Sequence, residues 1–470
     1  MNCFIKLNFI VITTISMCST FFSCKKTTDT KDFQAYFGGE ITNPTSQYIL
    51  FLKDSEVIDS VKLDEKNRFF FSFDSLAPGL YSFKNEPEYQ YIYFDKNDSL
   101  MVHIDAKDFD NSLAFCGRGD QKNNFLMELY LKNEADKNNM FSLFEYDFDK
   151  FNSKIDSTQK ANTRFYESKK EEIKWSEDFD KFAKAALDFS YYTKKELYPK
   201  VYRVRTGKDV YEKIPQNYYD FRKEINFNES QFSDYAPFIM YVSYMLNNKS
   251  TILYHNHLTE VDKELKTNIN KLNIVDTLIK NEKVKNKILN NIAFQYLLED
   301  QNVVNNNIFI DKYYKLSSDK SHKNEILKIG NAIQLLRPKF ELPIVNIIDT
   351  NGKMFSSDKI STKETVIFFW TQKLSSHLEA THKKLLSLRQ KYPNYQFVAV
   401  NLDKDQDVWT KTLAKYKFNG ISEYRCTDFE DLKEKWAITK VHRTIILDKK
   451  GLIKNAFTNI FDVKFEEELK

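Results

Sequence analysis

The sequence predicts a multidomain α+β protein with an N-terminal antiparallel β-sandwich, a helical middle domain and a C-terminal α/β domain. Three observations predict it. Short β-branched and aromatic runs recur at even spacing up to about residue 115. Apolar residues then recur every three or four positions to about residue 336. From 337 onward, strand-like and helix-like patterns alternate. The expected boundaries are 33–120, 121–336 and 337–470, preceded by a leader at 1–23 and a tether at 24–32.

The first region contains QYILFL, VIDSVKL, RFFFSF, GLYSF, YQYIYF and SLMVHI, separated by clusters of Asn, Asp, Pro and Gly. Phe69, Phe71 and Phe73 fall at alternate positions, the period of a half-buried strand. A small antiparallel sandwich or barrel follows from that pattern. In the middle region, Phe179, Phe182, Ala186 and Phe189 lie at helical spacing, as do Ile274, Leu278, Val284, Ile288, Ile292 and Tyr296. About six to nine helices fit the length, without a repeat period. Leu246-Asn-Asn-Lys-Ser reads as a helix end, and His255 and His257 follow it.

The third region opens with RPKFELPIVNIIDTNGKMFS, whose Asn351-Gly352 lies between two apolar runs and signals a hairpin. A strand at 365–370 and a helix at about 375–392 come next, with Ser375 and Ser376 as candidate N-caps. A strand at 397–403, a helical segment with Trp409 and Tyr416, and a helix at 430–436 follow. Strands at 444–448 and 452–457, joined by Asp448-Lys-Lys-Gly451, end the region.

Composition excludes several functions. Seventy basic residues against 66 acidic ones leave a net charge of +4, too balanced to draw nucleic acid. Ten glycines in 470 residues argue against a glycine-loop nucleotide enzyme. With 42% hydrophobic residues, 40 Phe and 27 Tyr among them, the chain can bury real cores.

The N-terminus reads as a targeting segment. Lys6 supplies the positive start, and 7–22 is mostly apolar yet too short and polar for a spanning helix. It ends in Phe21-Phe22-Ser23-Cys24, which resembles a bacterial lipobox with Cys24 as the acylated residue. An ordinary signal peptide with an incidental cysteine is the other reading. Acylation would tether the protein to a membrane without embedding it. Cys3 and Cys18 would then be removed, leaving Cys116 and Cys426 as thiols, each a small buried hydrophobe rather than a redox group.

The run VIFFWTQKLSSH at 366–377, with the ordered elements around it, resembles thioredoxin-like proteins of the TlpA/ResA type. The N-terminal pattern is similar to the all-β domain that precedes such domains in envelope lipoproteins of Bacteroidota. In that family the strand ends in Phe-Trp, and a Cys-x-x-Cys opens the next helix. Aligning on Phe369-Trp370 puts Leu374 and His377 at the two cysteine positions. The family's cis-proline position falls on His442, and a cis bond before a non-proline residue costs ~2.5–4 kcal/mol, so Val441-His442 is expected to be trans.

The resemblance implies a fold made for thiol–disulfide exchange, which needs a thiolate at a helix N-terminus and a second thiol in reach. Leu374 and His377 supply neither. Three functions therefore stay open: a redox-inactive binding or scaffolding lipoprotein, a thiol–disulfide oxidoreductase, or a histidine-based metal binder. His377 and His442 are the metal candidates, with His382 turned partly away and Glu379 the acidic residue near them. No cofactor is expected. The expected partners are the membrane, through Cys24, and a polypeptide at the groove. The expected location is the periplasmic face of the outer membrane.

Overall fold

A computed structural model describes residues 34–470, apart from 138–139, 254–259, 300–302, 419, 439–440 and 463. The leader, Cys3, Cys18, Cys24 and the His255/His257 pair lie outside the described residues.

Two four-stranded sheets form the N-terminal region. Its strands are β1 (Ala35–Thr42), β2 (Tyr48–Lys53), β3 (Glu56–Lys62), β4 (Arg68–Phe73), β5 (Gly79–Asn85), β6 (Glu88–Phe94), β7 (Ser99–Asp105) and β8 (Ala114–Arg118). The sheet orders are β4-β1-β7-β8 and β3-β2-β5-β6. The purely antiparallel expectation needs correction, because β1 pairs in parallel with β7. The whole second sheet and β4 intervene between those two strands, which gives the chain the length a parallel return requires.

Alternation decides what is buried. In β4, Phe69 and Phe71 point inward while Phe70 is exposed. Phe37 gathers the core, with ring centroids 5.0 Å from Phe83 and 5.2 Å from Phe69. β1 escapes sequence reading because Gly38-Gly39 interrupts it. Gly39 is required there, since a Cβ would lie 2.1 Å from the Val102 carbonyl oxygen.

The outer face of the second sheet packs on the helices through Leu80, Tyr91 and Tyr93. The helical region runs through Asp120–Lys137, Phe148–Ile173, Glu177–Thr206, Ala236–Leu253, Glu260–Leu278, Glu282–Glu299, Val303–Leu316 and Lys320–Leu335. The expected break after Leu246 does not occur, because Asn248 is buried and donates to Glu196 at 2.7 Å. Arg222 grips the same carboxylate at 2.8 and 2.6 Å, tying 216–224 to the helix Glu177–Thr206. Among the described residues, no helix is long and apolar enough to cross a membrane.

The C-terminal region has one seven-stranded sheet. Its strands are β9 (Asn346–Asp349), β10 (Met354–Ser356), β11 (Thr365–Trp370), β12 (Gln396–Asn401), β13 (Ser422–Cys426), β14 (Thr444–Leu447) and β15 (Ile453–Thr458), in the order β10-β9-β13-β12-β11-β14-β15. β11, β12 and β13 are parallel, and β14 runs antiparallel to β11. Helices Ser375–Lys391 and Gln406–Tyr416 cover one face, packing Leu378, Leu385 and Trp409 on Phe368 and Ala399. Phe429–Trp436 covers the other, burying Leu432 and Trp436 beside Ile367 and Phe369. β13 was not foreseen, because Glu423 and Arg425 give it a solvent-like pattern although both are buried.

Candidate functional site at the end of β11

All six residues of β11 are buried, and the strand delivers the turn 371–374 to the carboxyl edge of the parallel strands. Ligands in open α/β sheets bind at that edge. The Asp403 carboxylate fixes the turn. It accepts from the Thr371 hydroxyl, from the Gln372 backbone N–H at 2.8 Å and from the Asn401 amide at 2.8 Å. Ser375 and Ser376 are not caps. Leu374 holds the N-cap position with no side-chain cap, and both serines already lie inside the helix. The organising oxygen comes from Asp403 instead.

Leu374 is 38% exposed, and Phe461, after β15, is 45% exposed. Between them the half-buried His377 lies 6.1 Å from the Phe461 ring, and its Nε2 is 3.3 Å from the Thr381 hydroxyl. Its Nδ1 is buried without a hydrogen-bond partner. Burial, then the charges of His442 and His382, holds the His377 imidazole below its ordinary pKa of 6.5. His442 lies two residues before β14, and the Val441–His442 peptide is trans. Thr439 and Lys440, at the start of that loop, lie outside the described residues. Glu379 turns to Tyr416, whose hydroxyl donates to it at 2.8 Å. Among the described residues, no group of three His, Cys, Asp or Glu could hold a metal ion.

His382, on the same helix, belongs to the interior. It is 1% exposed, stacked on Phe418 at 3.5 Å and edge-on to Trp370 at 5.7 Å. Its Nδ1 is 2.7 Å from the Leu378 carbonyl, which only accepts, so Nδ1 carries a hydrogen. Nε2 lies 3.2 Å from one Glu423 oxygen, and the Trp370 indole donates to the other at 3.2 Å. A single proton is needed between Nε2 and the carboxyl, held by either partner. Burial raises the Glu423 pKa, while His382 and Trp370 oppose that rise. Sequence reading missed Glu423 and Asp403. The alternating SEYRC after Ile421 was the available signal for the first; nothing marked the second.

The turn also touches the N-terminal region, since the Lys373 ammonium pairs with Glu86 at 2.5 Å. Cys426 lies on β13, 5% exposed, with its thiol 3.1 Å from the Asp428 carbonyl. Burial pushes that thiol up to about 11. Cys116, expected to be buried, is instead exposed on β8, in the other domain.

A family described as thioredoxin-like matches residues 362–453, the stretch from just before β11 to the first residue of β15. The C-terminal region is a thioredoxin-like domain. Similar solved structures include a domain of a possible thiol-disulfide isomerase from Cytophaga hutchinsonii, 24% identical, over 28% of this chain and 96% of that one, with a TM-score of 0.25. Others are the thioredoxin domain of a thiol-disulfide oxidoreductase from Bacteroides vulgatus, 20% identical over 25% and 86%, and a thiol:disulfide interchange protein from Bacteroides sp., 20% identical over 25% and 79%. Both of these score 0.23. Comparison with curated proteins gave no match.

Proposed function

We propose that this chain is a cell-envelope lipoprotein, anchored through Cys24 on the periplasmic face of the outer membrane, whose thioredoxin-like domain binds a polypeptide and performs no dithiol exchange. One observation carries the reading: the turn after β11 and the start of its helix hold Leu374 and His377 and contain no cysteine. Exchange needs a thiolate there and a resolving thiol nearby. Cys426 is buried with its thiol pushed up, and Cys116 belongs to the other domain. The exposed Leu374 and Phe461 beside His377 offer an apolar edge for an extended segment.

The thioredoxin-like match favours a second reading, a thiol–disulfide oxidoreductase. Insulin reduction by the full mature chain with dithiothreitol separates the two. The expected rate is that of dithiothreitol alone. Turnover above it that survives Cys116→Ser and Cys426→Ser would overturn the mechanism, and turnover lost only with Cys426→Ser would establish a one-cysteine enzyme. Metal binding is the weakest reading, since Glu379 turns away to Tyr416.

A further inference from the structure

The outer face of the β4-β1-β7-β8 sheet is ordered in rows. Register aligns Phe70, Gly38, Met101 and Cys116 across the four strands. On one side lie Arg68, Glu40, His103 and Ala114, and on the other Ser72, Tyr36, Ser99 and Arg118. Phe70 is 55% exposed and Met101 40%, and Tyr36 stacks on Phe70 at 5.9 Å. Gly38 makes the plate flat, for a Cβ there would lie 2.8 Å from Phe70 Cδ2 and 3.1 Å from Met101 Cε. The two side chains therefore close over the strand. A shallow groove of about 810 Å³ runs along this face, with Lys62, Glu40 and the Arg68–Asp64 ion pair at its rim.

The matching face of the second sheet is covered by helices through Leu80, Tyr91 and Tyr93, whereas this one faces outward. It is also where the chain enters. β1, one of the two central strands, starts at Ala35, eleven positions after Cys24. A chain of about eleven residues reaches at most roughly 36–40 Å. An acyl chain on Cys24 would thus keep this sheet within that reach of the bilayer. An aromatic and thioether plate suits the lipid interface, where rings sit at headgroup depth.

We propose that the Tyr36–Phe70–Met101 face of this sheet lies on the lipid surface and fixes how the anchored protein stands on the membrane. This rests on acylation at Cys24. Cys116, in the same row, is the reporter, and the buried Cys426 is the internal reference. Full-length acylated protein is added to vesicles of phosphatidylethanolamine and phosphatidylglycerol, then treated with a charged maleimide. Alkylation of Cys116 is expected to slow roughly tenfold relative to soluble Cys24→Ser protein, since the reaction needs an accessible thiolate. Phe70→Ser with Met101→Ser should restore the soluble rate while the protein still sediments with the vesicles. Equal Cys116 rates in sedimented and soluble protein would overturn the proposal. Protection that grows with protein concentration in the Cys24→Ser chain without vesicles would also overturn it, and would assign the face to a second copy. An intact mass without acyl chains would instead overturn the anchoring reading, and this proposal with it.

Discussion

Two histidines on one helix, five residues apart, live in opposite circumstances. His377 sits half-buried at the open end of the domain, with an unpaired Nδ1 and two other histidines bearing on its charge. His382 is sealed in the interior, with both nitrogens engaged and one proton shared with Glu423. Helical geometry turns the two about 140° apart, which is enough to separate pocket from core. This fold specifies its polar groups most closely in the interior. The buried couple is specified atom by atom, while the pocket that would house chemistry is left loosely partnered. A site maintained for proton transfer would be expected to show the reverse.

The largest expected effect breaks the buried side. Glu423→Ala strands the His382 Nε2 and the Trp370 indole, and removal of one member of a buried pair costs about 3–5 kcal/mol. His377→Ala should cost less than about 1 kcal/mol, as a partly exposed side chain without a full set of partners. Denaturant midpoints measure both. Equal losses would erase the contrast between the two histidines.

The pH dependence sharpens it, because the two sides carry opposite signs. Burial raises Glu423 above its ordinary 4.5, so between 4.5 and the raised value the folded state holds more protons than the unfolded one. Its contribution is complete below 4.5 and is lost as pH rises through the raised value. His377 is lowered below 6.5, so its contribution is complete above 6.5 and is lost as pH falls through the lowered value. In a pH series of unfolding midpoints, Glu423→Gln should flatten the loss on raising the pH above 4.5. His377→Gln should flatten the loss on lowering it below 6.5. The same limb flattened by both variants would contradict the assignment.

How much of this was legible follows from particular residues. Phe69 and Phe71 announced β4 by alternation, and Asn351-Gly352 marked the β9–β10 hairpin. The apolar run 365–370 named β11 outright. β1 was hidden by Gly38-Gly39, because close approach of neighbouring strands and a turn ask for the same residue. β13 was hidden by Glu423 and Arg425, whose burial depends on partners that folding alone brings near: His382 and Trp370 for the first, the Lys404 carbonyl for the second. At the candidate site, the sequence supplied Leu374, His377 and His442. It could not supply Asp403, because a lone aspartate after a strand looks like any other.

The smallest expected effect concerns how the turn meets the N-terminal region. Lys373→Ala removes an exposed pair with Glu86 and should change stability by less than about 1 kcal/mol. A larger shift in the denaturant midpoint would mean that the two regions depend on each other more than this contact accounts for.

The most direct test of the central claim counts thiols. The mature full-length protein is equilibrated in glutathione buffers from reducing to oxidising, quenched, unfolded and alkylated, and its mass is read. The account predicts that Cys426 stays alkylatable throughout and that no intramolecular disulfide forms, because the two thiols lie in different domains and one is buried. Loss of both thiols together in a two-electron step would contradict it.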